Sequence, residues 1–107
     1  MGTASPREGA SLAGRAAERA PQEPRYAYTQ AFYLEKAGDV AGSERVLRAL
    51  VGRHPGYRDA WAMLGALLES RGRGTEAAEV YRRAAAEVSL PAADRRAFEA
   101  RAGGAGR

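Results

Sequence analysis

The apolar residues of this chain recur at the spacing of an α-helix and do not alternate with polar residues as in a strand. In the most regular stretch they fall at i, i+1, i+4, i+7 and i+8, on one helical face: Ala60, Trp61, Leu64, Leu67 and Leu68. Alternating runs of Val, Ile and Thr are missing, and Gly and Pro occur in clusters between the helical stretches. The pattern therefore predicts an all-α fold.

The helical stretches repeat along the chain. A shift of 34 residues aligns Gly38 with Gly72, and each of the two units then consists of two helical patterns around a Gly-centred break. We expect both glycines to form tight turns between paired helices. Asp39 and Thr75 follow these breaks, and both are predicted to cap the second helix of their unit.

The second unit carries the more specific set of residues. Its residues closely resemble the tetratricopeptide repeat in type and spacing: Trp61, Leu64, Gly65, Gly72, Ala77, Tyr81 and Ala84, with Pro55 before the unit. The spacing has a physical reason, because small residues at Gly65 and Ala77 let two antiparallel helices approach closely. Trp61 and Tyr81 then fill the remaining volume, so both are predicted to be core residues.

The first unit resembles the family less closely. It has Ala27 where the family has Trp, and Gln30 where the family has Leu. Gln30 is the unusual residue, because a polar side chain at a core position must find a hydrogen bond or face water. The resemblance implies a short helix-turn-helix solenoid of two repeats plus a C-terminal capping helix.

The organisation of the chain follows from these units and from the prolines that close them, Pro55 and Pro91. The predicted segments are a flexible arm at 1–24, a domain at 25–101 with repeats at about 24–57 and 58–91 and a capping helix at about 92–101, and a flexible tail at 102–107. Within the arm, Ser11 is in place to cap a short helix through Ala20, which has too little apolar surface to stay folded alone. The alternative to a flexible arm is a segment that orders only against a surface. Phe98 is the expected apolar anchor of the capping helix.

Candidate chemistry is sparse. The chain has no Cys and one His, which argues against a zinc site, and His54 lies beside Pro55 at the turn between the units. Glu76 and Glu79 have the spacing of surface charges on a helix. We therefore expect no enzyme activity, no cofactor and no metal. The N-terminal residues lack the apolar stretch of a secretory signal, and no segment approaches a membrane span, so a cytoplasmic location is expected.

The resemblance implies that the first helices of the repeats line a concave groove that receives a segment of a protein partner. Carried onto this sequence, the partner-binding positions are Tyr28, Thr29, Phe32, Glu35, Ala62, Met63, Ala66, Glu69 and Arg96. Family members that hold a C-terminal carboxylate have Lys and Asn near the positions of Tyr28 and Phe32, so the aromatics here argue against such a clamp. An apolar floor suits an amphipathic helix or an extended apolar segment. The alternative is that Tyr28 and Phe32 pack within the first unit or under residues 11–20.

The leading prediction of function is a protein-interaction module or adaptor subunit. A structural accessory subunit, packed permanently on a larger complex, is an alternative, as is self-association, because two repeats are few for independent stability. The net charge of +4 leaves a third alternative, a basic adaptor associated with nucleic acid. Its basis would be an outer stripe of arginines on the second helices: Arg45, Arg48, Arg82 and Arg83.

Overall fold

The structure is a computed structural model that describes residues 5–105, and the regular structure in that range is helical. The helices are α1 (Pro6–Arg19), α2 (Pro24–Lys36), α3 (Val40–Arg53), α4 (Arg58–Ser70), α5 (Gly74–Ala85) and α6 (Ala92–Ala105). The predicted all-α fold is therefore confirmed. None of these helices is long and apolar enough to cross a membrane.

The helices keep a single period along the chain. The even-numbered helices begin at residues 24, 58 and 92, and the odd-numbered helices begin at residues 6, 40 and 74, so successive starts are 34 residues apart. By this spacing, α1 corresponds to the second helix of a repeat, and α6 corresponds to the first helix of a repeat. The described residues form two compact units, divided between Leu50 and Val51.

Helix α1 occupies the segment that the sequence analysis treats as a flexible arm. Its cap is Ser5, so the prediction of a cap at Ser11 is wrong. The Ser5 hydroxyl accepts a hydrogen bond from the Glu8 backbone N–H at 3.2 Å, and the Glu8 carboxylate accepts one from the Ser5 N–H at 2.9 Å. This reciprocal pair is a capping box, with Pro6 as the first helical residue. The hydrogen bonds to Ser5 also lower the pKa of Glu8.

Helix α1 packs on α2 through small residues. Ala10 and Ala13 are buried, and Gly9 lies so close to the Tyr33 ring that a Cβ there would come within 2.8 Å of it. A Cβ on Gly14 would likewise lie 2.8 Å from the amide nitrogen of Gln30. The unusual Gln30 is therefore covered by α1, which approaches closely because two glycines face α2.

The turn between α2 and α3 has the predicted glycine and the predicted cap, and the two helices meet at small residues. Gly38 has a φ of +89°, a conformation that disfavours any residue with a Cβ. Asp39 accepts a hydrogen bond from the Gly42 N–H at 2.9 Å, so its predicted role as a cap is confirmed. The buried Ser43 hydroxyl donates to the Ala31 carbonyl at 2.7 Å, which joins the two helices where both side chains are small.

In the second unit, the start of α5 differs from the prediction. Gly72 forms the expected turn with a φ of +75°. Thr75 is not the cap, however, because α5 begins at Gly74 with Arg73 at the cap position and without a side-chain capping bond. Instead, the Arg73 guanidinium donates two hydrogen bonds of 2.7 Å to the Glu76 carboxylate. The prediction failed because the 34-residue period aligns Asp39 with Arg73, two residues before Thr75.

Helix α6 contains the predicted capping helix and extends beyond it. Phe98 is buried, as predicted, and its ring stacks on Tyr81 with a centroid distance of 6.0 Å and an interplanar angle of 20°. The helix continues to Ala105, so the described part of the expected tail is helical. Residues 106 and 107 lie outside the described range.

Candidate functional site

The predicted partner-binding residues of α2 lie on a face that its neighbours in the first unit leave partly uncovered. Phe32 is 38% exposed, Tyr28 is half-buried, and Thr29 and Glu35 are exposed. The Thr29 hydroxyl donates to the Arg25 carbonyl at 2.8 Å, so this polar group is already used within the helix. This face therefore offers fewer free hydrogen-bond donors than its residue types suggest.

The Phe32 ring is held in place by its neighbours on α2. It packs edge-on against Tyr33, with a centroid distance of 5.3 Å and an interplanar angle of 77°. The Lys36 ammonium lies 5.3 Å from the centroid of the Phe32 ring, within the range of a cation–π contact. Tyr33 also lies against Gly9 of α1. The inner side of the Phe32 ring therefore contacts a side chain that is itself packed, while its outer side faces solvent.

These contacts show whether residues 11–20 cover Phe32. Helix α1 contacts α2 at Gln30 and Tyr33, which lie on a different face of the helix from Phe32. With α1 in place, Phe32 remains exposed. The segment 11–20 therefore does not bury Phe32. The other part of the alternative, packing within the first unit, describes the contact of Phe32 with Tyr33 and the half-buried state of Tyr28.

The predicted residues of α4 belong to the second unit. Ala62 and Met63 are half-buried, whereas Ala66 and Glu69 are exposed. The opposite face of the helix is fully packed, since Leu64, Gly65 and Leu68 are buried in the core of this unit. The α4 surface thus consists of small apolar residues and one flexible thioether, with the carboxylate of Glu69 at its C-terminal end.

Glu69 is not an isolated surface charge. Its carboxylate accepts a hydrogen bond of 2.9 Å from the hydroxyl of Tyr81 on α5. The Tyr81 residue is 1% exposed, and its ring lies against Gly65, where any Cβ would overlap it. Burial, and after it the hydrogen bond to Glu69, raise the pKa of Tyr81 to about 12. Glu69 therefore joins α4 to α5.

Arg101 of α6 extends this cluster to a third helix. Its guanidinium carbon lies 5.7 Å from the Tyr81 ring centroid and 5.9 Å from that of Phe98. Sequence reasoning found Tyr81 and Phe98 as core residues but missed the links through Glu69 and Arg101. The available signal was the glycine at position 65, which makes room for a ring whose hydroxyl must then find a partner.

Arg96 lies on α6 and is exposed. It lines a cleft of about 260 Å³ together with Arg95, Glu99, Ala92 and Ala85 at the end of α5. We call this the α5–α6 cleft. Arg95 is half-buried, and its Nε is a buried atom without a hydrogen-bond partner among the described residues. Arg95 was not predicted as a site residue, because nothing in its local sequence distinguishes it from other helical arginines.

The arginines of the outer stripe are partly engaged within the protein. Arg48 donates to the Glu44 carboxylate at 2.9 Å, and the Arg83 guanidinium carbon lies 5.4 Å from the centroid of the Trp61 ring. Arg45 and Arg82 are exposed. Among the residues from 5 to 105, no three His, Cys, Asp or Glu side chains are grouped so that they could hold a metal ion.

Comparison with protein families agrees with the resemblance inferred from the sequence. A family model described as tetratricopeptide repeat matches residues 28–93, more than half of the chain. The chain belongs to the tetratricopeptide repeat family. Neither the curated proteins nor the solved structures give a match. Tetratricopeptide domains are in general protein–protein interaction modules and are typically not catalytic, so the expected partner is a protein.

Proposed function

We propose that this tetratricopeptide domain is an adaptor that binds an apolar or amphipathic segment of a protein partner through the exposed faces of its first helices. The observation that carries the proposal is Phe32, a supported aromatic ring that remains 38% exposed on α2. A rigid aromatic ring loses little side-chain entropy on binding, and aromatic residues are frequent centres of binding energy in interfaces.

The α4 surface supports the same chemistry within the second unit. Ala62 and Ala66 are too small to keep a partner helix at a distance, and Met63 can adapt its shape to the side chain it meets. Such a combination of small residues and a flexible thioether suits an apolar ridge of a helix or an extended segment. The proposal therefore assigns partner contacts to Tyr28 and Phe32 on α2 and to Met63 on α4.

The charged residues around these faces are proposed to contribute specificity. Glu35 and Lys36 are exposed at the C-terminal end of α2, and Arg96 is exposed on α6. Exposed charges at the edge of an interface alter the rate of association and the choice of partner more than the affinity. Glu69 is expected to contribute less, because its carboxylate already accepts the Tyr81 hydroxyl.

The test compares partner binding by matched variants of the full chain. A partner captured by affinity purification and identified by mass spectrometry is titrated by calorimetry with the wild type and with the double variant Phe32→Ala, Met63→Ala. We expect the double variant to lose at least about 2 kcal/mol of binding free energy while its helical circular dichroism is retained. Val88→Ala is the matched control, because Val88 is apolar and 84% exposed but lies outside the proposed faces.

The competing surface predicts a different pattern. If the double variant binds its partner normally, and only substitutions at Arg45, Arg48, Arg82 or Arg83 weaken binding, the proposed faces are wrong and the outer stripe is the working surface. Salt separates the two chemistries further, because contacts to nucleic-acid phosphates weaken steeply between 50 and 200 mM salt, whereas apolar contacts do not.

A further inference from the structure

Leu12 of α1 is an apolar side chain at a position that is covered elsewhere in this fold. The 34-residue period aligns Leu12 with Val46 of α3 and with Val80 of α5. Val80 is 2% exposed and Val46 is half-buried, whereas Leu12 is 59% exposed although α1 packs on α2. The outer face of α1 therefore lacks the cover that the corresponding positions have on the other two helices.

The charged residues beside Leu12 are also without a counterpart in their own copy. Glu8 lies four residues before Leu12, and Arg15 and Arg19 lie three and seven residues after it, so all of them share one helical face. The three charged residues are exposed, and none of them forms an ion pair within residues 5–105. Arg15 and Arg19 are four residues apart, a spacing at which like charges repel each other. The face is thus negative before Leu12 and positive after it.

This order of charges complements itself when two copies of α1 run antiparallel. With the two Leu12 side chains opposite each other, a rise of about 1.5 Å per residue places Glu8 about 6 Å to one side of the centre. Arg15 and Arg19 of the second copy then lie about 4.5 Å and about 10.5 Å to the same side, so the carboxylate falls between two guanidinium groups. Two-fold symmetry repeats these contacts on the other side. In a parallel pair, by contrast, each Glu8 would face the other Glu8.

The groups on this face are available for such contacts. The Glu8 carboxylate accepts the Ser5 N–H through Oε1 at 2.9 Å, which uses one of its two oxygens. Hydrogen bonding to Ser5 also keeps the pKa of Glu8 below its usual value, so the group is negative at neutral pH. Arg15 donates to the Ser11 hydroxyl at 3.4 Å, which is long for a hydrogen bond. Ala16, on the same face, is small enough to let a second helix approach closely.

We propose that α1 is a self-association surface, on which two copies of this protein pair antiparallel through Leu12 and the charges of Glu8, Arg15 and Arg19. The occupant is a second copy, because the reversed charge pattern of α1 is the one that its own face complements. A contact along one helix of 14 residues is small, below about 1,200 Å² in total, so the dimer is weak. The inference goes beyond the proposed function and does not depend on it. A dimer would present the partner-binding faces twice, which raises the avidity for a partner with two binding segments.

Self-association is measured by sedimentation equilibrium of the full chain. We expect a monomer–dimer equilibrium with a Kd on the order of 0.1 mM at about 20 mM salt. Raising the salt concentration to about 300 mM should weaken dimerisation severalfold, because exposed charges are then screened from each other. A chain that stays monomeric at a concentration of about 1 mM in low salt, ten times the expected Kd, would overturn the proposal.

Paired charge variants test the antiparallel arrangement. Arg15→Glu brings two carboxylates together and Glu8→Lys brings cations together, so each variant alone should weaken dimerisation at least about tenfold. An equimolar mixture of the two should associate again, to within about threefold of the wild type, because each copy supplies the charge that the other lacks. Arg82→Glu is the matched control, since it makes the same change in net charge at an exposed arginine of α5. It should dimerise as the wild type does, and circular dichroism checks that every variant keeps its helices.

The apolar contact is tested by Leu12→Ala, which should weaken dimerisation at least about fivefold while helicity is kept, since alanine is the better helix former. Unchanged dimerisation in both Leu12→Ala and Arg15→Glu, or a mixture of the charge variants that fails to associate, would overturn the antiparallel pair.

Two further outcomes would assign another occupant and thereby overturn the inference. Loss of self-association in the Phe32→Ala, Met63→Ala variant would place the contact between copies at the partner-binding faces. A monomeric chain whose Leu12→Ala variant binds the captured partner more weakly would assign the α1 face to that partner. Failure of the proposed function is recognised separately, because the double variant would then bind its partner normally whether or not the chain self-associates.

Discussion

Replacing Trp61 with Ala should strongly destabilise the second unit. The indole is 2% exposed, and a tryptophan of this kind buries about 150–250 Å². At about 25 cal/mol per Å², this burial corresponds to roughly 4–6 kcal/mol, while measured substitutions of buried aromatic residues by Ala cost about 3–5 kcal/mol. We therefore expect Trp61→Ala to lower the free energy of unfolding by about 3–5 kcal/mol, a large share of the stability of a small domain.

Part of this loss belongs to a hydrogen bond that can be measured separately. The indole N–H donates to the Pro55 carbonyl at 2.7 Å, which fixes the turn before α4. Trp61→Phe retains most of the apolar contact but removes this donor, so we expect a smaller loss of about 1–3 kcal/mol. The order of stability should be wild type, then Trp61→Phe, then Trp61→Ala.

The assay is urea-induced unfolding followed by far-ultraviolet circular dichroism, because both variants lack the only tryptophan of the chain. With a denaturant slope of about 1–3 kcal/mol per M, the midpoint for Trp61→Ala should fall by at least about 1 M. Val88→Ala, at an exposed apolar position, should remain within about 0.5 kcal/mol of the wild type. An unchanged midpoint for Trp61→Ala would refute the placement of the indole in the core.

The other predictions concern the turns and the buried tyrosine. Gly38→Val and Gly72→Val should each cost about 1–2 kcal/mol, since both glycines have positive φ and only the backbone conformation opposes a side chain. Gly52→Ala, within α3 and equally open, should instead be neutral or stabilising in the same urea assay. In an absorbance titration at alkaline pH, one tyrosine should ionise near pH 12, and Tyr81→Phe should remove that step. Because the pKa of Tyr81 is raised on folding, its contribution to stability is complete below about pH 10 and is lost as the pH rises towards 12.

The second repeat could be predicted from sequence because its information lies in large residues at fixed offsets. Side chains as large as Trp61 and Tyr81 can be buried at few positions in a small helical protein. Gly65 indicates the face of α4 that the tyrosine ring contacts. The turn at Gly72 was equally accessible, because only glycine adopts that backbone conformation without strain. The start of α5 was not predicted correctly. Thr75 and Arg73 lie only about half a helical turn apart, and the preference of threonine for cap positions favoured the wrong one of the two.

The candidate site was harder to predict, because exposure depends on which elements pack together. Phe32 and Glu69 were both predicted at the partner-binding surface, yet the Glu69 carboxylate accepts a hydrogen bond from a core tyrosine 12 residues away along the chain. The partner of a buried hydroxyl is decided by tertiary packing, and helical periodicity does not record it. Arg95 shows the same limit, because its half-buried state follows from the closeness of α5 and α6.

Helix α1 shows most clearly what hydrophobic periodicity misses. Its one large apolar residue, Leu12, is 59% exposed, so a search for a hydrophobic face finds nothing that could hold the helix. The contact is made instead by Gly9 and Gly14, which let the backbone of α1 lie directly against Tyr33 and Gln30 of α2. Small residues stabilise such a contact by close van der Waals packing over the length of the helix, and not by burying large side chains. The signal was therefore divided between two helices. Helix α1 has the two glycines, and α2 has Gln30, which departs from the family pattern at the position that the glycine-faced helix covers.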